Sequence, residues 1–308
     1  MLISNKHKDF VQYNERASLQ HHVGDFESNC LICIMSSILV KQLFIFPIKS
    51  LAAIAVNEVM VDAAGFVGDR RFMLVDAQGK FITQRTRPDL TRFALNQVTE
   101  GFLVQDNVSG KSKVLSAQPQ MKEELSAELW EDSLHVIEVG EGWSEWFSAL
   151  LQEPVRLVMQ QEDSPRIIKN IYQTQGSNQS SFADSLPILL ASEASYERVE
   201  AVYGKSYDPL RFRANLLISG CDAFEEDTFA ELSIHAVHLF GAKPCARCQL
   251  VNVEPSTGAV DKGVLKALAS FRQKDNKVYF GQQMVPISLG KIKVGDEVLV
   301  IKRKDALF

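Results

Sequence analysis

With 308 residues, 46% of them hydrophobic and 23% charged, the chain is long enough for two ordinary soluble domains whose cores need no disulfide support. Its formal net charge of -5 excludes a global attraction to nucleic acid or to an anionic membrane, so any anion it binds must be held by a local cluster of cations. Five cysteines, Cys30, Cys33, Cys221, Cys245 and Cys248, form an odd and sparse set that suits free thiols in a reducing compartment better than a secreted framework.

The opening MLISNKHKDFVQYNERASLQ mixes charges without an apolar run, unlike a signal or transit peptide. Residues 1–34 lack steady periodicity and read as a disordered extension, with Met35 as an alternative natural start. CLICIMSSILV has roughly half the length that crosses a bilayer, so the expected location is cytoplasmic. From MSSILVKQLFIFPIKS to about residue 140 the text is mostly short strands. RRFMLVDAQGKFITQRT predicts a hairpin around Ala77-Gln78-Gly79, and GFLVQDNVSGKSKVLSA a second at Ser109-Gly110. EGWSEWFSALLQEP changes period: Trp143, Trp146, Phe147, Leu150 and Leu151 fall on one helical face, packed as core, and Pro154 ends the helix.

A domain boundary is therefore placed near residue 150, dividing residues 35–150 from 151–308. The second part opens with the polar loop NIYQTQGSNQSSFADS and the apolar strand LPILLAS. A helix over SEASYERVEAVY follows, capped by Ser192. FRANLLIS and ELSIHAVHLF read as strands, VLKALASFR as a short helix, and GKIKVGDEVLVIKR as strand, Gly295-Asp296 turn and strand, sealing a sheet. Many short strands with a few helices predict a mainly β, α+β chain built on small barrels. His235 and His238, three apart on a predicted strand, face opposite ways and are poor partners for one metal.

Three readings compete at FGAKPCARCQLVNVEPSTG. Cys30, Cys33, Cys245 and Cys248 could together hold zinc, but CLIC lies far away in an apolar run without the turn residues of a zinc knuckle. A Cys-x-x-Cys dithiol wants a helix after it, and QLVNV reads as a strand. The third reading is a single thiolate, Cys245, that binds a soft metal carried by a cofactor, with Arg247 nearby to favour the ionised sulfur.

KPCARCQLVNVEPSTG, SFADSLPILLASEAS, FRANLLISG and FPIKS…GDRRFMLVD…FITQR resemble, in the right order along the chain, the MOSC superfamily of molybdenum-cofactor proteins. The similarity, over roughly residues 38–301, is to the YcbX-like proteins and the mitochondrial amidoxime-reducing component. It implies an N-terminal MOSC-associated β-barrel-like domain followed by a MOSC β-barrel domain. It also implies that Cys245 is the protein ligand to molybdenum, with Cys248 as packing. Lys49, Ser50, Arg70 or its neighbour Arg71, and Arg85 would meet the anionic pterin and its phosphate. Ser181, Phe182, Asp184, Arg213 and Asn215 would be supplied by the second domain. Ala214 stands where the family has proline, which is expected to loosen the backbone.

The activity so implied is reduction of N-hydroxylated compounds, amidoximes and hydroxylamino bases, with Asp184 as proton donor. The alternative is a carrier of the cofactor or of its sulfur acting through Cys245. The resemblance implies the molybdenum cofactor and not pyridoxal phosphate. No cysteine follows Cys248, so no iron–sulfur cluster is expected in this chain. Electrons would come from a separate flavin reductase, cytochrome or ferredoxin, with no nucleic-acid or membrane partner.

Overall fold

The computed structural model describes residues 37–308; the expectations for residues 1–34, for Met35 and for the Cys30/Cys33 pair lie outside the described residues. The strand Leu39–Ile45 alternates Val40, Leu43 and Ile45 inward, as a half-buried strand should. It is the second member of a large sheet. In spatial order the strands are Ile54–Val56, Leu39–Ile45, Leu216–Ser219, Ile188–Ser192, Lys277–Pro286, Val237–Arg247, Phe229–Ile234 and Leu299–Arg303, with Gln273–Lys274 beside the fifth. Only Ile188–Ser192 and Leu216–Ser219 run parallel, joined by the helical crossover that a parallel pair requires. A second sheet orders Phe72–Asp76, Val155–Gln160, Asp132–Val139 and Met121–Leu129. The expected barrels do not close among the described residues: each sheet has two end strands, so the architecture is mainly β with open, twisted sheets.

The sheets run across residue 150. Leu39–Ile45 pairs with Leu216–Ser219, Phe72–Asp76 with Val155–Gln160, and Glu58–Asp62 with Gly290–Lys293. One hydrophobic cluster accordingly joins Leu43, Phe72 and Trp143 to Ile188, Leu216 and Met284. This interleaving is what brings side chains from distant parts of the sequence to one cleft.

Helix α1 (Trp143–Leu151) buries Trp143, Phe147 and Leu151 against the core, the face that its period predicts. In α2 (Glu193–Tyr203) the Ser192 hydroxyl accepts from the Ser195 amide at 3.2 Å, satisfying a free N–H of the first turn. Helix α3 (Gly263–Arg272) packs Val264 and Leu268 inward. Both predicted turns form, with Gly79 at φ 83° and Gly110 at φ 74°. Three local expectations change. The stretch after Cys248 is a 3-10 turn, Gln249–Asn252, and not a strand. His235 sits in a tight turn at φ 51°, so only His238 belongs to a strand. The two strands around Gly295-Asp296 part company, Gly290–Lys293 joining Glu58–Asp62 and Leu299–Arg303 joining Phe229–Ile234.

A methyl group added at Gly241 would stand 1.8 Å from the Phe229 carbonyl oxygen. Gly241→Ala should therefore force two paired strands apart and cost about 1–3 kcal/mol. Urea denaturation measures it; a loss within experimental error would show that the strands can separate freely there.

Candidate functional site

Cys245 lies near the end of the strand Val237–Arg247. Pairing with Lys277–Pro286 shifts register on either side of it, from Pro244↔Gln282 to Ala246↔Tyr279, so Cys245 has no direct partner. Two local features permit this. Pro244 has no amide to give to the ladder, and Gly281 opposite adopts φ 76°, where an added Cβ would meet the Leu190 carbonyl oxygen at 2.8 Å. The irregularity re-aims Cys245 into a cleft of about 280 Å³. Its side chain is otherwise buried. The sulfur receives Arg247 Nη1 at 3.1 Å and, more distantly, Gln283 Nε2 at 3.6 Å. Burial works against the Arg247 charge, yet Cys245 and Cys248 outweigh it and raise the guanidinium's pKa. Two donors therefore converge on this one sulfur.

The opposite wall is cationic. The Phe46 ring carries two guanidiniums, with Arg70 Cζ 4.6 Å and Arg213 Cζ 4.1 Å from its centroid. Arg70 Nη1 donates to Asp69 at 2.5 Å and to Asn215 Oδ1 at 2.9 Å, and Nη2 donates to the Arg213 carbonyl at 3.0 Å. Asn215 Oδ1 also accepts the Leu189 amide, and its Nδ2 donates to the Phe44 carbonyl, so Asn215 holds Arg70 in place and ties two strands together. Arg213 Nη1 donates to the Leu51 carbonyl at 2.8 Å while Nη2, also buried, has no partner. Ser50, Arg70 and Arg213 all take positive φ, 67°, 50° and 54°. Three non-glycine residues in this sparsely populated region at one cleft mark stored strain. Ala214 does not loosen the segment: it lets Arg213 hold its left-handed conformation, from which a following proline would push it toward an extended one.

Lys49, Arg85 and Asp184 close the third side. Lys49 Nζ donates to Asp184 Oδ1 at 2.5 Å and to the Phe182 carbonyl at 2.7 Å, and Arg85 Nη2 reaches Asp184 Oδ2 at 3.2 Å. Burial alone would raise the Asp184 pKa; Lys49 and Arg85 outweigh it and hold the carboxyl well below its usual range. Its side chain is 46% exposed, so water screens part of that effect. A carboxylate held this way is ionised at neutral pH. It pairs cations instead of offering the proton expected of it. Burial pushes the neighbouring Lys49 down to about 8 despite Asp184, with Arg70 adding to the fall.

Of the residues expected at the site, Lys49, Ser50, Arg70, Arg85, Asp184, Arg213, Asn215 and Cys245 line this one cleft. Arg71 does not; it turns away and pairs with Asp62 at 2.5 Å. Phe182 is fully buried against Met73, Val75 and Leu129, and contributes its carbonyl to Lys49. The Ser181 hydroxyl is buried outside the cleft lining without a partner. Gln283 and Trp130 are cleft residues that motif reading misses. The signal for Gln283 is the pair Gln282-Gln283 within the buried stretch of the strand Lys277–Pro286.

A molybdenum dithiolene cofactor can be tested against this donor set. Among the described residues no three His, Cys, Asp or Glu side chains gather around a common point as a metal cage. A metal at Cys245 would take one ligand from the chain and the others from its own cofactor. Five cations line the cleft, Lys49, Arg70, Arg85, Arg213 and Arg247, against the one carboxylate Asp184. Burial and Arg70 push Arg213 down to about 9. A guanidinium stays protonated, so the same energetics amount to an unmet demand for an anion. Arg213 Nη2 is itself buried without a partner. The residues fit a phosphate-bearing soft-metal cofactor.

A pH prediction follows from Lys49. Between about 8 and 10.5 the unfolded chain holds this proton and the folded one does not. The lysine therefore contributes stability that grows as pH rises through that window, and its buried charge is a penalty below it. An anion in the cleft relieves the penalty, so sulfate should raise Tm more at about pH 7 than at about pH 9.5. In Lys49→Met the difference should vanish. Equal shifts in the wild-type protein would remove Lys49 from the anion site.

The family profile described as MOSC N-terminal beta barrel domain matches residues 37–154, and that described as MOSC domain matches residues 177–299. Mitochondrial amidoxime-reducing component 1 of Homo sapiens is 30% identical over 285 residues, which is 85% of this chain and 82% of that protein. Mitochondrial amidoxime reducing component 2 of Homo sapiens is 28% identical over 275 residues, 84% and 82% of the two chains. Molybdenum cofactor sulfurase of Caenorhabditis elegans is 28% identical over 246 residues, 79% of this chain but 32% of that longer protein. No described helix is long and apolar enough to cross a membrane. With both domains matched in order and relatives aligned along most of its length, the chain belongs to the MOSC family of molybdenum-cofactor proteins, in company with the mitochondrial amidoxime-reducing components.

Proposed function

We propose that the chain is a molybdenum-cofactor-dependent reductase of N-hydroxylated compounds, such as amidoximes and hydroxylamino bases, fed with electrons by a separate donor protein. The observation that carries this reading is a buried thiol, Cys245, in a cleft whose lining holds five cations against one carboxylate. Similarity to relatives named for amidoxime reduction supports the substrate class.

When bound, the cofactor supplies a metal able to take up an oxygen atom while changing oxidation state. The chain's own residues supply the rest. Cys245 presents a sulfur fixed by Arg247 and Gln283. Arg70, Arg213, Lys49 and Ser50 anchor the anionic body of the ligand, with Asn215 holding Arg70 in place. Conversion of N–OH to N–H breaks the N–O bond, consumes two electrons and two protons, and releases water. At neutral pH Lys49 holds a proton at Nζ that leaves more readily than an ordinary lysine's, and Asp184 keeps it in position.

A second reading, a carrier of the cofactor or its sulfur, is favoured by Cys248 lining the same cleft and by similarity to a molybdenum cofactor sulfurase. Turnover separates the two. Molybdenum-replete protein with an artificial electron donor should reduce benzamidoxime or hydroxylaminopurine; absence of turnover with metal present would leave the carrier reading.

A further inference from the structure

Beside the cofactor cleft lies a second cavity of about 480 Å³, which shares Trp130, Asp184, Ser185 and Leu186 with it. A molecule seated here reaches the cleft without leaving the protein surface. Its walls carry two aromatic faces, Trp130 and Tyr172, with Leu186 and Ile168 as apolar surface between polar groups. Trp130 is 48% exposed although Arg85 Cζ lies 4.2 Å from its ring centroid and the Phe81 ring 5.1 Å away, so about half of the indole remains open to solvent.

The charges in this cavity are unevenly matched. Arg166 is committed, its Nε donating to Asp132 at 2.6 Å and its Nη1 to the Ala183 carbonyl at 2.5 Å. Asp184 is taken by Lys49 and Arg85. Lys243 is different. Its ammonium lies 4.7 Å from the Tyr172 ring centroid, half-buried, and no carboxylate among the described residues pairs with it. Lys169, on the same wall, also makes no ion pair among the described residues, while Glu131 is exposed and pairs with neither lysine. Two unneutralised ammonium groups beside two aromatic faces select a flat ring bearing a negative charge.

We propose that this cavity is the substrate annex of the cleft and that it selects N-hydroxylated aromatic compounds carrying an anionic substituent. The ring lies against Trp130 and Tyr172, the anion meets Lys243 and Lys169, and the N–OH group points toward Cys245. That the bound compound is a substrate rests on the reductase reading; that it binds does not.

Trp143 is buried and Trp146 packs against the core, so Trp130 is the indole that reports on this cavity. Quenching of its fluorescence in the molybdenum-replete protein gives affinities for benzamidoxime and 4-carboxybenzamidoxime without any turnover. The carboxylate should bind about fivefold more tightly, the size expected of one or two partly solvated ion pairs. Lys243→Ala and Lys169→Ala should each shrink that ratio, Lys243→Arg should keep it, and Trp130→Phe should abolish the signal. A ratio taken within one protein is insensitive to its metal content. Hydroxylaminopurine ribonucleoside compared with its 5′-monophosphate tells whether phosphate serves as well as carboxylate. Equal affinities in the wild-type protein, a preference that survives both lysine substitutions, or quenching that persists in Trp130→Phe would overturn the proposal. If the preference holds and neither compound is reduced, the annex stands and the reductase reading falls. If both are reduced with the same KM, the reverse is true.

Discussion

Cys245→Ser should strip molybdenum from the protein and lower turnover by more than about 100-fold, beyond the loss usual for groups one step removed from a metal. The reason is chemical and not structural. Serine is nearly the same size, and Cys245 touches the cleft, so the fold should survive with little change in its urea midpoint. A hydroxyl is a harder donor that does not ionise at neutral pH, and the converging Arg247 and Gln283 donors cannot make it one. Cys248→Ser is the informative partner. Cys248 is exposed at the edge of the cleft, at the start of a 3-10 turn. It should keep its metal and lose no more than about threefold in turnover. Metal analysis and a benzamidoxime assay on the same preparations decide. Equal and large losses at both positions, with no metal copurifying, would point to a dithiol.

Arg70→Ala and Arg71→Ala, one residue apart, should differ sharply in stability. Arg70 bridges Asp69, Asn215 and the Arg213 carbonyl. Asp69 is 1% exposed, and without Arg70 its carboxylate keeps only such contacts as the Phe46 amide. Removing one partner of a buried ion pair leaves an uncompensated charge and typically costs about 3–5 kcal/mol. Arg71 pairs with Asp62 where both side chains meet water, 27% and 40% exposed, so its loss should cost less than about 1 kcal/mol. Arg70→Lys should recover only part of the stability, since one ammonium cannot serve three acceptors set in the plane of a guanidinium. Guanidinium chloride titrations of the three variants provide the measurement. Similar midpoints for Arg70→Ala and Arg71→Ala would mean that the Asp69 charge finds another partner.

These contrasts mark where local reading succeeds and where it stops. The hairpins at Gly79 and Gly110, the apolar face of α1 and the Ser192 cap are legible because each depends on residues within one turn or one strand pair. Arg70 and Arg71 are not separable in sequence. Which of two adjacent side chains faces the cleft depends on the left-handed turn at Arg70 and on its contact with Asn215, 145 residues further along the chain. Open sheets in place of closed barrels are a matter of the same long-range register, which short alternating segments do not encode.

The site divides along the same line. The sequence alone determined that the whole chain is too acidic to attract an anion and, through its resemblance to the MOSC motifs, that Cys245 is the thiol of interest and that Lys49, Arg70 or Arg71, Arg85 and Arg213 are the cations to watch. The tertiary structure alone decided where they lie and what they touch. Only folding shifts the strand register between Pro244 and Ala246, sets two guanidiniums against the Phe46 ring and leaves Arg213 Nη2 without a partner. It also gives Asp184 to Lys49 and Arg85, and burial there pushes Lys49 down to about 8. The physical reason is that residue type sets which charges a chain owns, whereas burial and neighbours, brought together by pairing across the whole sequence, set whether each charge is satisfied.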